Sequence, residues 1–73
     1  MAELAVPVEI TASVWKIEAA PGQQVAAGDV LMILESMKME IPVEAPRSGK
    51  VSRILVAEGD EVKEGQVVLL MDA

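Results

Sequence analysis

Lys38 stands between Met37 and Met39, and that trio stands between Glu35 and Glu40 in the mid-chain stretch Leu34-Glu35-Ser36-Met37-Lys38-Met39-Glu40-Ile41. The group in this stretch with covalent chemistry is the lysine amine, which attacks an activated carbonyl once its proton is removed. A free lysine keeps that proton up to a pKa of about 10.4. Glu35 and Glu40 are too acidic to take it, and their charge favours the ammonium form. The chain has no histidine and no cysteine. It therefore lacks the usual neutral-pH base, the thiolate nucleophile and the common ligands of a transition metal. The residues suit a lysine presented to another protein, with no catalytic residue and no metal site of its own. Two methionines beside it are odd ornaments for a charged loop, but flexible thioether chains adapt well to a partner's groove.

The elements that hold this lysine must come from 73 residues, enough for a single domain spanning 1–73. Hydrophobic residues make up 52% of the chain, yet Trp15 is the one aromatic. The core is therefore expected to be Val, Ile, Leu, Ala and Met, with Trp15 covering it. Twelve acids against six bases give a net charge of −6, the wrong sign for a nucleic-acid partner. The longest apolar runs, Val30–Leu34 and Val67–Met71, are far too short to span a membrane as a helix. The N-terminal stretch carries Glu3 where a secretory signal has basic residues, so a cytoplasmic location is expected.

The chain repeats itself. Residues 14–36 align without a gap on residues 51–73, an offset of 37. Seven positions are identical, namely Val14/Val51, Ile17/Ile54, Ala20/Ala57, Gly22/Gly59, Val25/Val62, Gly28/Gly65 and Val30/Val67. Lys16/Arg53 and Glu35/Asp72 keep their charge. Two copies of one supersecondary unit are implied. Each copy reads as β, with apolar segments punctuated by two glycines six apart, placed where a turn needs positive φ. Pro7, Pro21, Pro42 and Pro46 interrupt every long window and disfavour helix. The expected strands are 4–8, 12–18, 30–34, 39–43, 50–56 and 66–71, with short ones near 24–26 and 61–63. Neither unit can bury its apolar face alone, so the two should pack about a pseudo-twofold axis into a small all-β sandwich or flattened barrel. Under that symmetry the residues around Lys38 correspond to the chain ends. The lysine turn should then protrude at one end of the barrel and both termini at the other.

From Met37 to Val43 apolar and polar residues alternate, with Met37, Met39, Ile41 and Val43 on one face. The switch from the apolar run 30–34 to this alternation, across Glu35 and Ser36, marks a hairpin whose tip lies close to Lys38. Lys16, Lys50 and Lys63 read as ordinary solvated charges. The cluster Glu58, Asp60, Glu61 and Glu64 reads as a solvated face, with steering toward a basic partner surface as the lesser reading.

Glu35-Ser36-Met37-Lys38-Met39-Glu40, set between two β units with matched glycines, resembles the attachment motif of biotinyl domains, the carboxyl carrier domains of biotin-dependent carboxylases and decarboxylases. The resemblance extends from about Val6 to Met71. It implies two four-stranded sheets forming a flattened barrel with the lysine at a hairpin tip. It also implies that Lys38 carries biotin in amide linkage, with Met37 and Met39 as the flanking motif. Biotin protein ligase would load it from biotinyl-adenylate, with Glu35, Ser36 and Glu40 as candidate recognition residues. Loading would move the net charge from −6 to −7. The tethered ring would then serve biotin carboxylase and carboxyltransferase components in turn, at an effective concentration on the order of millimolar. The resemblance makes the chain a monomeric carrier and a ligase substrate, not an enzyme. Its start at Met1, with no Pro/Ala-rich linker, resembles the stand-alone biotin/lipoyl attachment proteins, and fits a fragment of a longer enzyme subunit equally well. Ser13 falls where the family often has glycine, and the short first half leaves no space for a thumb insertion. Lipoyl domains usually show Asp-Lys-Ala at the hairpin, which disfavours lipoate as the cofactor. Dual biotin and lipoate attachment stays open, because the stand-alone members resemble both. An unmodified module of the membrane-fusion type would need long helical segments that this chain lacks.

Overall fold

The computed structural model describes residues 3–73. Its eight strands are β1 (Glu3–Pro7), β2 (Ala12–Ile17), β3 (Gln24–Val25), β4 (Val30–Ser36), β5 (Met39–Glu44), β6 (Gly49–Ile54), β7 (Glu61–Val62) and β8 (Val67–Asp72). All eight expected strands are present, and the described residues contain no helix. They form two four-stranded antiparallel sheets, as expected. One, the terminal sheet, has the order β1-β8-β6-β3; the other, the lysine sheet, has the order β5-β4-β2-β7.

The two sheets exchange strands between the copies. In the lysine sheet the central pair β2 and β4 comes from the first copy and is flanked by β5 and β7 of the second. The terminal sheet reverses the roles. The loops repeat the pattern, since the Gly22 N–H donates to the Val51 carbonyl at 2.7 Å and the Gly59 N–H to the Val14 carbonyl at 2.8 Å. The Gly28 N–H likewise reaches the Ala45 carbonyl and the Gly65 N–H the Val8 carbonyl, both at 2.8 Å. Gly22, Gly28, Gly59 and Gly65 have φ between 87° and 95°, a region that costs glycine little. Side-chain oxygens tie these turns down. Gln23 accepts from the Ala20 N–H at 3.0 Å, and its counterpart Asp60 accepts from the Ala57 N–H at 2.9 Å. In the other pair of turns the residue types swap, with Asp29 accepting from Ala26 and Gln66 from Lys63. Amide and carboxylate oxygens thus do the same task.

Two pairs of bulges obey the same symmetry. Leu31 is the extra residue between the Val30–Glu44 and Met32–Val43 pairs, and Val68 holds the matching place opposite β1. Each bulge sends two successive side chains inward, so Leu31, Met32, Val68 and Leu69 are all fully buried. A second pair inserts Trp15 in β2 and Ser52 in β6. The sandwich closes over Val6, Val14, Leu34, Val51, Val62 and Met71, with Leu4, Ile41 and Val43 packed against them from the flanks. Trp15 does not cover this core, contrary to the expectation. Its place in the bulge leaves it 49% exposed, and the aliphatic side chains fill the interior without it.

β1 and β8 pair through Glu3–Asp72 in the terminal sheet, while Lys38 tops a hairpin of the lysine sheet. The separation of lysine and chain ends thus holds at the level of the sheets. Met1 lies outside the described residues.

Gly49 allows the end of β8 to approach closely. A Cβ added there would sit 2.5 Å from the Asp72 carbonyl oxygen, a backbone atom that cannot step aside alone. Gly49→Ala is expected to cost about 1–3 kcal/mol by overpacking. Thermal unfolding followed by circular dichroism should show Tm falling by about 4–8 °C for each kcal/mol.

Candidate functional site

β4 and β5 remain paired up to Ser36 and Met39, which leaves Met37 and Lys38 as a two-residue loop. Their φ angles are 52° and 65°. Positive φ at both central residues defines a type I′ turn, whose twist matches that of the strands it joins. Asn-Gly is the usual occupant of such a turn. Methionine and lysine gain nothing from the left-handed region, which costs about 1–2 kcal/mol per residue with a Cβ. This strain is tolerated because the paired strands below fix the bend from both sides.

The bend carries its side chains into solvent. Lys38 is exposed, Met37 is 92% exposed and Met39 is 63% exposed. The expected alternation therefore holds for Ile41 and Val43, which pack on the core, but not for Met37, which belongs to the turn. β4 also runs two residues beyond the expected 30–34, because Glu35 and Ser36 find partners in Glu40 and Met39. Val30 lies on the exposed side of that run. Lys38 makes no ion pair; the one ion pair among the described residues joins Lys16 and Glu18 at 3.9 Å on the surface. A concavity of about 400 Å³ runs between edge strands β1 and β5, and Lys38 does not line it.

Of the sequence-chosen residues, the structure brings Glu35 and Glu40 face to face as a cross-strand pair just below the turn, both exposed. Ser36 is half buried opposite Met39. The supposed solvated cluster divides. Glu58 accepts from the Ile17 N–H at 3.0 Å and Asp60 caps its own turn, so both hold backbone in place. Glu61 sits beside Ser13, whose other neighbour is Glu35. Sequence reasoning missed that Glu61 shares a cross-strand row with the lysine hairpin, one strand removed, because the pairing of β2 with β7 joins residues far apart in the chain. The end of the hairpin thus presents one primary amine to solvent, without an ion-pair partner and flanked by two exposed thioethers.

Residues 3–71 match the family model described as "Biotin-requiring enzyme", and the chain belongs to this biotin/lipoyl attachment family. It is 44% identical over 66 residues to the biotin/lipoyl attachment protein of Bacillus subtilis, an alignment covering 90% of each chain. It is 46% identical over 63 residues to a biotinylated protein of Mycobacterium leprae, covering 86% of this chain and 89% of that one. Among solved structures, urea carboxylase of Kluyveromyces lactis contains a region that superposes with a TM-score of 0.92 at 40% identity. The match takes in 99% of this chain and 6% of that much longer one.

The strained turn yields a stability prediction. Replacing Met37-Lys38 by Asn-Gly should stabilise the fold by about 1–2 kcal/mol, because the new residues accept positive φ at lower cost. Denaturant titration should show a higher midpoint with an unchanged slope.

Proposed function

We propose that this chain is a biotin carrier holding the vitamin in amide linkage on Lys38, and that it passes carboxyl groups between the active sites of a biotin-dependent carboxylase. The observation that carries the reading is the exposed, unpaired Lys38 at a two-residue turn, flanked by Met37 and Met39, in a chain of the biotin/lipoyl attachment family. The amine fits a group that arrives through a carboxyl function. Its nitrogen attacks the acyl carbon of an adenylate, an amide bond forms, the phosphate leaves as AMP, and the amine proton passes to a base. No such base stands at the tip, so a biotin protein ligase supplies it, with Glu35, Ser36 and Glu40 within its footprint. When bound, biotin supplies a ring nitrogen that takes up and releases a carboxyl group.

The rest of the chain contributes position. The β4–β5 hairpin holds the attachment point still, and the lysine stem supplies reach, so the tethered group searches a small volume around two active sites. The carboxylase partners would be a biotin carboxylase and a carboxyltransferase. The domain works as a monomer. Edge strand β5 carries Pro42 and edge strand β1 ends at Pro7, and proline blunts an edge against pairing with a second copy.

Incubation with a biotin protein ligase, biotin and ATP should add one biotinyl group per chain, read by intact mass. Lys38→Arg should add none, which also clears Lys16, Lys50 and Lys63. No mass gain on the wild-type chain would refute the reading. Uptake of lipoate from a lipoate ligase, with biotin refused, would replace it with a lipoyl carrier.

A further inference from the structure

The pseudo-twofold gives every residue of the lysine sheet a counterpart 37 positions away in the terminal sheet, and the comparison acts as an internal control. Trp15 has Ser52 as its counterpart; both are the extra residue of a bulge, yet only the lysine sheet displays an indole there, half exposed. Just below the lysine turn, Glu40 lies opposite Glu35, Glu35 opposite Ser13, and Ser13 opposite Glu61. Directly opposed residues in antiparallel strands project from the same face. The row therefore shows three carboxylates, Glu40 and Glu35 adjacent and Glu61 beyond Ser13, all exposed and none in an ion pair. The counterpart row in the terminal sheet reads Glu3, Asp72, Lys50, Gln24, two acids next to a lysine. The fold thus accommodates a mixed row as readily as an acidic one. The acidic row and the exposed aromatic coincide on the one sheet that carries Lys38.

We propose that the outer face of the lysine sheet, from Trp15 to the row Glu40, Glu35 and Glu61, is the docking surface for the ligase that loads Lys38; this rests on the carrier reading above. The occupant follows from charge. A ligase that holds ATP and an acyl-adenylate surrounds their phosphates with cationic side chains. The ammonium of Lys38 is repelled by such a mouth, and three carboxylates on the same face offset that repulsion. Charges of this kind act mainly on the rate of productive encounter and are screened by salt. Trp15 adds the apolar anchor, a residue type enriched where interfaces are energetically strongest.

The test compares initial rates of biotin addition by biotin protein ligase on folded variants. Glu35→Gln, Glu40→Gln and Glu61→Gln combined should lower kcat/KM about tenfold, mostly through KM, and should remove the salt dependence seen in the wild type. The same variant should melt at or above the wild-type temperature, since a like-charge cross-strand pair has gone. That result separates lost docking from lost folding. Trp15→Ser, which copies the terminal sheet, should lower kcat/KM about fivefold, in the range expected for an exposed interface aromatic. In the wild type, indole emission should shift when ligase is added. The control Glu3→Gln with Asp72→Asn should stay within about twofold of wild type, as expected of charges remote from an interface. A wild type that is fully biotinylated while face and control variants load at equal rates overturns the docking surface and leaves the carrier intact. Unchanged loading with a loss only in carboxyl transfer also overturns it, and assigns the face to the carboxylase. A wild type that accepts no biotin overturns both.

Discussion

Every feature of this protein depends on one constraint, the exchange of edge strands between its two copies. The central pair of each sheet belongs to one copy and both edges to the other, so neither half can complete a sheet by itself. The reciprocal bonds from Gly22 to Val51 and from Gly59 to Val14 lock the exchange, and the aliphatic core forms only when both sheets are in place. For a chain of this length, with no disulfide and no aromatic in its interior, cooperation of that kind is what makes a folded state accessible.

The same exchange decides where the lysine goes. Because β5 is the strand that the second copy lends to the first copy's sheet, β4 and β5 must be neighbours, and the shortest link between antiparallel neighbours is a two-residue hairpin. The equivalent pair in the other sheet, β8 and β1, is the last strand beside the first, so no hairpin joins Asp72 to Glu3. Of the two symmetric positions, the one between β4 and β5 is closed by a hairpin, and it carries Met37 and Lys38. Ladders of paired residues on either side of the bend hold it, which is why the turn persists with side chains that gain nothing from positive φ. A rigid base with a freely moving arm is what a shuttle between two sites requires.

Much of this architecture was legible in the sequence because it is periodic. The gapless repeat disclosed the duplication, the glycine pairs marked the turns, and alternation from residue 39 onward showed which face of β5 turns inward. What escaped was non-local or broke the period. Met37 fits the alternation in sequence, yet it leaves the strand because the pairing of Ser36 with Met39 makes it half of a turn. Leu31 and Met32 are both buried through a bulge, which no two-residue period anticipates. Trp15 is placed outside by another bulge, against the ordinary expectation that a lone indole seals a small core. The row joining Glu40, Glu35 and Glu61 needs three strand registers to be known before it can be drawn. The candidate attachment residue was visible as a motif; its surroundings depended on tertiary pairing.

These exceptions are not scattered. Two residues in the left-handed region, two exposed methionines and an exposed tryptophan all fall on the lysine sheet. The terminal sheet is built from the same unit with the same bulges, yet among its described residues only glycines have positive φ, and its row of paired acids, Glu3 and Asp72, runs on into Lys50. Each exception costs some stability, and a duplicated fold offers a ready route to avoid it by keeping the two copies alike. Where local choices oppose folding in one half of a symmetric molecule and agree with it in the other, the difference is a record of selection for something besides folding. In this chain that difference surrounds a single amine.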